Sequence, residues 1–203
     1  MIVIIDYNAG NPASILNMLK RAGKEAVISS EKSVVEQASK LILPGVGAFD
    51  YGMNNLLNSG LLQTLNQKVL EQRVPFLGIC LGMQLLMAGS EEGREPGLGW
   101  IEGQAVRFDN THPNLKVPHM GWNFLQMKKE SRLFTGMFED PRFYFVHSYF
   151  VRCSQEADVL CTTDHQTPFV SGIEKGNIAG VQFHPEKSHK YGICLLKNFA
   201  DNF

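Results

Sequence analysis

Short, unbroken apolar runs alternate with helix-like segments through the first part of this chain, and few folds accept that rhythm. Ile2–Ile5 is one such run, and residues 41–43 and 74–79 are others. A strand that is apolar at every position has to be buried on both faces, the condition of a parallel sheet covered by helices. The segments between the runs read as those covers. Asn11 stands where it can cap a helix that has Pro12 at its first position. Ile15, Leu16, Leu19 and Ala22 give this helix one apolar face, and Gly23 ends it. Residues 25–29 add a strand, 33–38 a short helix and 61–72 a longer one. In such sheets, sites form beyond the carboxyl ends of the strands. The loops after Ile5, Leu43 and Ile79 are therefore expected on one edge.

The second half changes character. Strand-like runs recur at 103–108, 122–127, 143–146, 159–162, 169–174 and 178–183. Turn signals such as Asp109-Asn110 and Lys175-Gly176-Asn177 separate them, which favours antiparallel pairing. Residues 191–202 close the chain as an amphipathic helix. The expected class is α/β: a flavodoxin-like, mostly parallel sheet with helices on both faces and additional antiparallel strands in the C-terminal half. With 203 residues and no repeat, low-complexity tract or linker, a single domain over 1–203 is the economical organisation.

A net charge of −1, with both signs mixed, gives no reason to expect nucleic acid or an anionic membrane as partner. No stretch approaches the roughly 18 consecutive apolar residues of a membrane helix. The opening segment is short and lacks the basic flank of a signal peptide, so a cytoplasmic location is expected.

The run 74–79 stops at Cys80, which lies between Gly78 and Gly82, and residues 82–87 then read as a helix. Strand, nucleophile, tight turn and helix make a nucleophile elbow. A thiol at a helix N-terminus is favoured as thiolate by the dipole and the free N–H groups. The other cysteines, Cys153, Cys161 and Cys194, lie in apolar stretches and read as small core residues. No C-x-x-C pair occurs, so neither a metal site nor a redox motif is supported, and no cofactor is expected.

A cysteine nucleophile needs a base, and the base needs an orienting group. Of the histidines His112, His119, His147, His165, His184 and His189, His184 stands out. It follows the run 178–183 and precedes Pro185 and Glu186, whose carboxylate can hold one ring nitrogen while the other faces the thiol. An oxyanion needs donors as well. The N–H of Leu81, next after the nucleophile, is one, and Pro44-Gly45-Val46-Gly47 can supply another.

Gly78-Ile79-Cys80-Leu81-Gly82-Met83-Gln84, Pro44-Gly45-Val46-Gly47 and His184-Pro185-Glu186, in this order, resemble the class I (triad) glutamine amidotransferases over essentially the whole chain. Within that class, Asp6-Tyr7-Asn8-Ala9-Gly10-Asn11, Pro118-His119-Met120-Gly121-Trp122-Asn123 and Tyr144-Phe145-Val146-His147-Ser148-Tyr149 resemble the glutaminase subunits of imidazole glycerol phosphate synthase. Pro12-Ala13 is less usual there. The resemblance implies that Cys80 attacks the carboxamide of L-glutamine, that His184 handles the proton and that Glu186 orients His184. It implies oxyanion donors at Val46 and Leu81, and glutamine binding by Gly47, Gln84, His147, Ser148 and Tyr149. It also implies a partner, a (β/α)-barrel cyclase subunit that receives the ammonia in a heterodimer. His119, Met120, Trp122, Asn123 and Lys187 are expected at that contact.

Other readings share parts of this pattern. A paralogous subunit could supply ammonia to a sugar amidotransferase in surface-polysaccharide synthesis. A non-catalytic flavodoxin-like binding module would have a broken triad, whereas Cys80, His184 and Glu186 are all present. A thiol esterase or peptidase on the same architecture is opposed only by the resemblance around Gln84 and residues 44–47.

Overall fold

The computed structural model describes residues 1–109 and 115–203. His112 and the Asn110 half of the Asp109-Asn110 turn lie outside the described residues. The first part of the chain is β1 (Ile2–Ile5), α1 (Pro12–Arg21), β2 (Ala26–Ser29), α2 (Lys32–Glu36), β3 (Lys40–Gly45), α3 (Phe49–Asn58), α4 (Leu62–Asn66), β4 (Phe76–Cys80) and α5 (Leu81–Gln84). The remainder is β5 (Gly89–Ser90), β6 (Gly103–Arg107), β7 (His119–Phe124), β8 (Gln126–Met127), β9 (Arg142–His147), β10 (Tyr149–Cys153), β11 (Val159–His165), β12 (Thr167–Lys175), β13 (Ile178–Val181) and α6 (His189–Asn202).

The apolar runs pair as expected. Strands β2, β1, β3, β4 and β13 are parallel neighbours in that order, the flavodoxin-like order with β13 as the fifth strand. Beyond β13 the same sheet continues antiparallel through β12, β10 and β6, with β11 and β8 branching from β12. Strands β7 and β9 form a separate antiparallel ribbon.

Alternation along each buried strand divides the core into two layers. Val3, Ile5, Leu41, Leu43 and Phe76 face α3 and α4, meeting Phe49, Met53, Leu56 and Leu65. Ile2, Ile4, Ile42, Leu77 and Ile79 face α1 and α6, meeting Ile15, Leu19, Leu195 and Phe199. Asn11 caps α1 by accepting from the Ser14 N–H at 3.1 Å. The strand ends do share one edge: the Tyr7 hydroxyl, just past β1, donates to the Pro44 carbonyl at 2.7 Å.

Several elements differ from the sequence reading. Helix α3 is new, because neither of its terminal supports is local. The Phe49 N–H is capped by Glu92, and Asp50 accepts from the N–H groups of Arg94 and Glu95. Residues 61–72 form α4 followed by a π-helical turn, Gln67–Glu71. Helix α5 stops at Gln84, because the carbonyls of Leu85, Leu86 and Met87 accept from Leu98, Ile101 and Gly99. Residues 122–127 belong to two strands in different sheets. Strand β10 is also new. Cys161 is fully buried, while Cys153 and Cys194 are only half-buried. No helix among the described residues is long and apolar enough to cross a membrane.

Candidate active site

The elbow is built by close approach. A Cβ at position 82 would lie 2.0 Å from the Leu43 carbonyl oxygen, and one at 78 would lie 2.6 Å from the Gly82 oxygen. Glycine at both positions lets β4 turn into α5 while pressed against β3. The reversal itself falls on Cys80, whose φ of 55° and ψ of −111° are strained for a residue with a side chain. The two glycines make the room, and Cys80 carries the strained backbone. Leu81 opens α5, so its N–H has no intrahelical acceptor.

His184 follows β13, the parallel neighbour of β4, and so reaches the same edge. Its Nδ1 lies 2.7 Å from Oε1 of Glu186, and both side chains are almost wholly buried. Nε2 is buried without a hydrogen-bond partner of ordinary geometry. Burial opposes charge on this imidazole, but hydrogen bonding and charge from Cys80 and Glu186 outweigh it and hold its pKa at about 10. Desolvation raises the thiols of Cys153 and Cys161, to about 11 and about 12.

A cavity of about 320 Å³ opens over the elbow. Cys80, Leu81, Gln84, His184, Val46 and Gly47 line it together with His147, Ser148, Tyr149 and Lys187. Residues from four separate strand ends therefore converge on one thiol. Glu186 stands behind His184. No group of three or more metal-ligating side chains occurs among the described residues.

A family model, glutamine amidotransferase class-I, matches residues 3–203. The chain belongs to the class-I glutamine amidotransferases. Among curated relatives, "Imidazole glycerol phosphate synthase subunit HisH 2" of Methanococcus maripaludis is 50% identical over 98% of both chains. The subunit of the same name from Pseudomonas aeruginosa is 50% identical over 99% of both. Subunit HisH of Bdellovibrio bacteriovorus is 44% identical over 99% of this chain and 100% of its own. In fold, the chain resembles PurLQS from Thermotoga maritima, with a TM-score of 0.73, 19% identity, and 98% and 96% of the two chains covered. A glutamine amidotransferase structure gives a TM-score of 0.71 at 21% identity, covering 97% and 99%.

This amidotransferase places the residues expected at a partner contact on two faces of β7. Alternation turns Met120, Trp122 and Phe124 outward, at 62%, 44% and 52% exposure. His119 and Asn123 point the other way. His119, expected at the surface, is buried, with its Nδ1 3.0 Å from Nε2 of His147. Lys187 is exposed and lies over the Tyr144 ring. Three residues of the amidotransferase site were not singled out from sequence. Glu92 and Val146 line the cavity. Gln182 is fully buried, with its Nε2 3.8 Å from the Cys80 sulfur. Its place two residues before His184, in an apolar run that has no need of a polar side chain, was the available signal.

Proposed function

We infer that this chain hydrolyses glutamine to glutamate and delivers the ammonia to a second protein, as the glutaminase subunit of imidazole glycerol phosphate synthase in histidine biosynthesis. The observation that carries the reading is the cavity lined by Cys80, Leu81, Gln84 and His184, with His184 bonded to Glu186. The full-length similarity to subunits of that synthase supports the destination. The domain is read as one unit over residues 1–203.

The Cys80 thiolate attacks the carboxamide carbon, and the carbonyl oxygen becomes an oxyanion. The Leu81 N–H at the start of α5 and a donor from Val46 receive that charge. Imidazolium at His184, held protonated well above neutrality, gives its proton to the departing nitrogen. The C–N bond breaks and a thioester remains on Cys80. Water then attacks the thioester, His184 takes the water's proton, and glutamate leaves as the thiolate is restored. Both N–H bonds of Gln84 are already used, by the Tyr149 carbonyl at 3.0 Å and the Gln182 oxygen at 3.1 Å. Its oxygen is left to accept from the amide of the substrate. Gly47, His147, Ser148 and Tyr149 bound the space for the amino-acid end.

The partner is a (β/α)-barrel cyclase subunit, seated on the outward residues Met120 and Trp122 and reached by Lys187. Phe124 extends that apolar face. The cyclase turns the ammonia and a phosphorylated ribulosyl-imidazolecarboxamide nucleotide into imidazole glycerol phosphate and an aminoimidazole carboxamide ribotide. The decisive experiment is Cys80→Ala in the complex, assayed with glutamine and separately with ammonium. Loss of the first reaction and survival of the second is expected. Retained glutamine use would sink the assignment.

A second reading, ammonia supply to a sugar amidotransferase, draws on one observation. Both relatives at 50% identity carry the number 2 in their names. Co-purification of a barrel cyclase from the native host favours the first reading, and of a sugar-modifying synthetase the second.

A further inference from the structure

A side chain outside the triad touches the nucleophile, and its neighbours decide how. The carboxamide of Gln182 presents its nitrogen end to the Cys80 sulfur at 3.8 Å. An amide can be turned end for end without moving a heavy atom, so the hydrogen-bond network must fix its orientation. The Tyr149 carbonyl can only accept, so Gln84 must turn its NH2 toward it. The second N–H of that NH2 meets Gln182, which must therefore offer its oxygen. Only the NH2 of Gln182 remains to face the sulfur.

A second network reaches the same carbonyl from the other side with no conflict of direction. Asn123 is fixed twice: its Nδ2 donates to the Asp164 carbonyl at 2.7 Å, and its Oδ1 accepts from the Phe124 N–H at 2.8 Å. Its remaining N–H points at Nε2 of His119, 3.2 Å away, so that nitrogen carries no proton. His119 is then protonated on Nδ1 and donates to Nε2 of His147. His147 in turn keeps its proton on Nδ1 and donates to the Tyr149 carbonyl at 2.7 Å. Both rings must be neutral for this. Burial, reinforced by neighbouring histidines, holds His119 at about 4 and His147 at about 3. The two lone pairs of the Tyr149 oxygen are thus filled by His147 and Gln84.

We propose that Gln182 is a positioning residue: it holds an N–H against the Cys80 sulfur, at the end of a hydrogen-bonded chain that starts at Asn123 on the β7–β9 ribbon. The proposal rests on the reading of Cys80 as the glutaminase nucleophile. A fixed donor favours the negative sulfur and restrains the thiol's direction before substrate arrives. The ionisable groups around the sulfur are His184, with Glu186 behind it, Tyr7 from the loop after β1, and His147, Lys187 and Glu92 in the cavity lining. Gln182 is uncharged, so its donation persists whatever their state. Asn123 lies between Trp122 and Phe124, so a partner docked on the ribbon holds the far end of the chain.

Alkylation of Cys80 by iodoacetamide, read by mass spectrometry of its peptide, tests this on the full chain without turnover. Gln182→Met and Gln182→Leu remove the amide at similar volume. Each is expected to slow Cys80 alkylation at neutral pH about tenfold, the scale of one hydrogen bond to a charged group. In the complex, kcat should fall while KM for glutamine stays within about twofold. Wild-type alkylation rates in both variants overturn the positioning role. Nitrogen-15 NMR of the unmutated chain decides independently of whether the variants fold. Neutral rings protonated on Nδ1 at His119 and His147 are expected from about pH 6 to 8. A ring protonated on Nε2 at either position, or titrating in that range, overturns the chain. Glutamine turnover surviving in Cys80→Ala is a separate failure, that of the nucleophile assignment itself.

Discussion

The elbow and the β7–β9 ribbon flank the same cavity but are held in opposite ways. Cys80 ends a strand paired on both sides, with Gly45 in register on β3 and Val181 opposite Ile79 on β13. Its geometry comes from backbone pressed on backbone. As strands the ribbon pairs only with itself, His119 opposite His147; it turns Met120, Trp122 and Phe124 to solvent and buries His119, His147, Phe143 and Phe145 on the other face. Rigid pairing suits a group that must meet a carbonyl within fractions of an ångström. A ribbon outside the main sheet, tied to the site by its side chains and by the His184 N–H on the Tyr144 carbonyl at 2.9 Å, suits a surface that receives another protein.

That contrast can be broken by experiment. Cys80→Ala should lower glutamine-dependent turnover by about 10⁴-fold or more and leave ammonia-dependent turnover intact. Glu186→Gln should follow, with kcat down by up to about 10⁴-fold by analogy with other orienting carboxylates. The pH profile of kcat adds a sign. His184 is raised from 6.5 to about 10 by its partners, so the proton for the leaving group is lost as pH rises through about 10. The stabilisation linked to the shift is complete below 6.5 and fades over the same rise. In Glu186→Gln the alkaline limb should move to lower pH; an unmoved limb would separate Glu186 from the imidazole's acidity. Gly82→Ala should destabilise the chain by about 3 kcal/mol in urea unfolding, because the Leu43 carbonyl cannot retreat from a paired strand. On the ribbon, Trp122→Ala should weaken partner binding by about 2 kcal/mol while leaving unfolding within about 0.5 kcal/mol of wild type. Equal losses in folding and binding would make Trp122 a packing residue and dissolve the comparison.

How much was legible in sequence follows the same division. The parallel strands announce themselves because each is apolar at every position, and the elbow because glycine frames a cysteine. His184 and Glu186 were readable because the proline between them fixes a short link. Helix α3 was not, since Gly52 and three asparagines weaken its local preference and its supports come from Glu92 and residues 94 and 95. The inward turn of His119 was missed for a different reason. The motif reads as one surface, whereas a strand sends neighbours to opposite sides. The direction of each hydrogen bond between Asn123 and Gln182 lies beyond any pattern, because it depends on carbonyls far away in the chain.

The backbone of Cys80 has a consequence for how such chains change over time. A left-handed φ at a residue with a side chain costs about 1–3 kcal/mol, and glycine alone relieves it. Glycine gives back part of that gain through the freedom of the unfolded chain, about 0.5–1 kcal/mol. On the backbone alone glycine is favoured at this position by about 1–2 kcal/mol, but Cys80→Gly also removes a buried sulfur and its hydrogen bond and charge at His184, so the variant should melt close to the wild type. A chain released from glutamine hydrolysis would therefore meet little stability cost in losing its thiol.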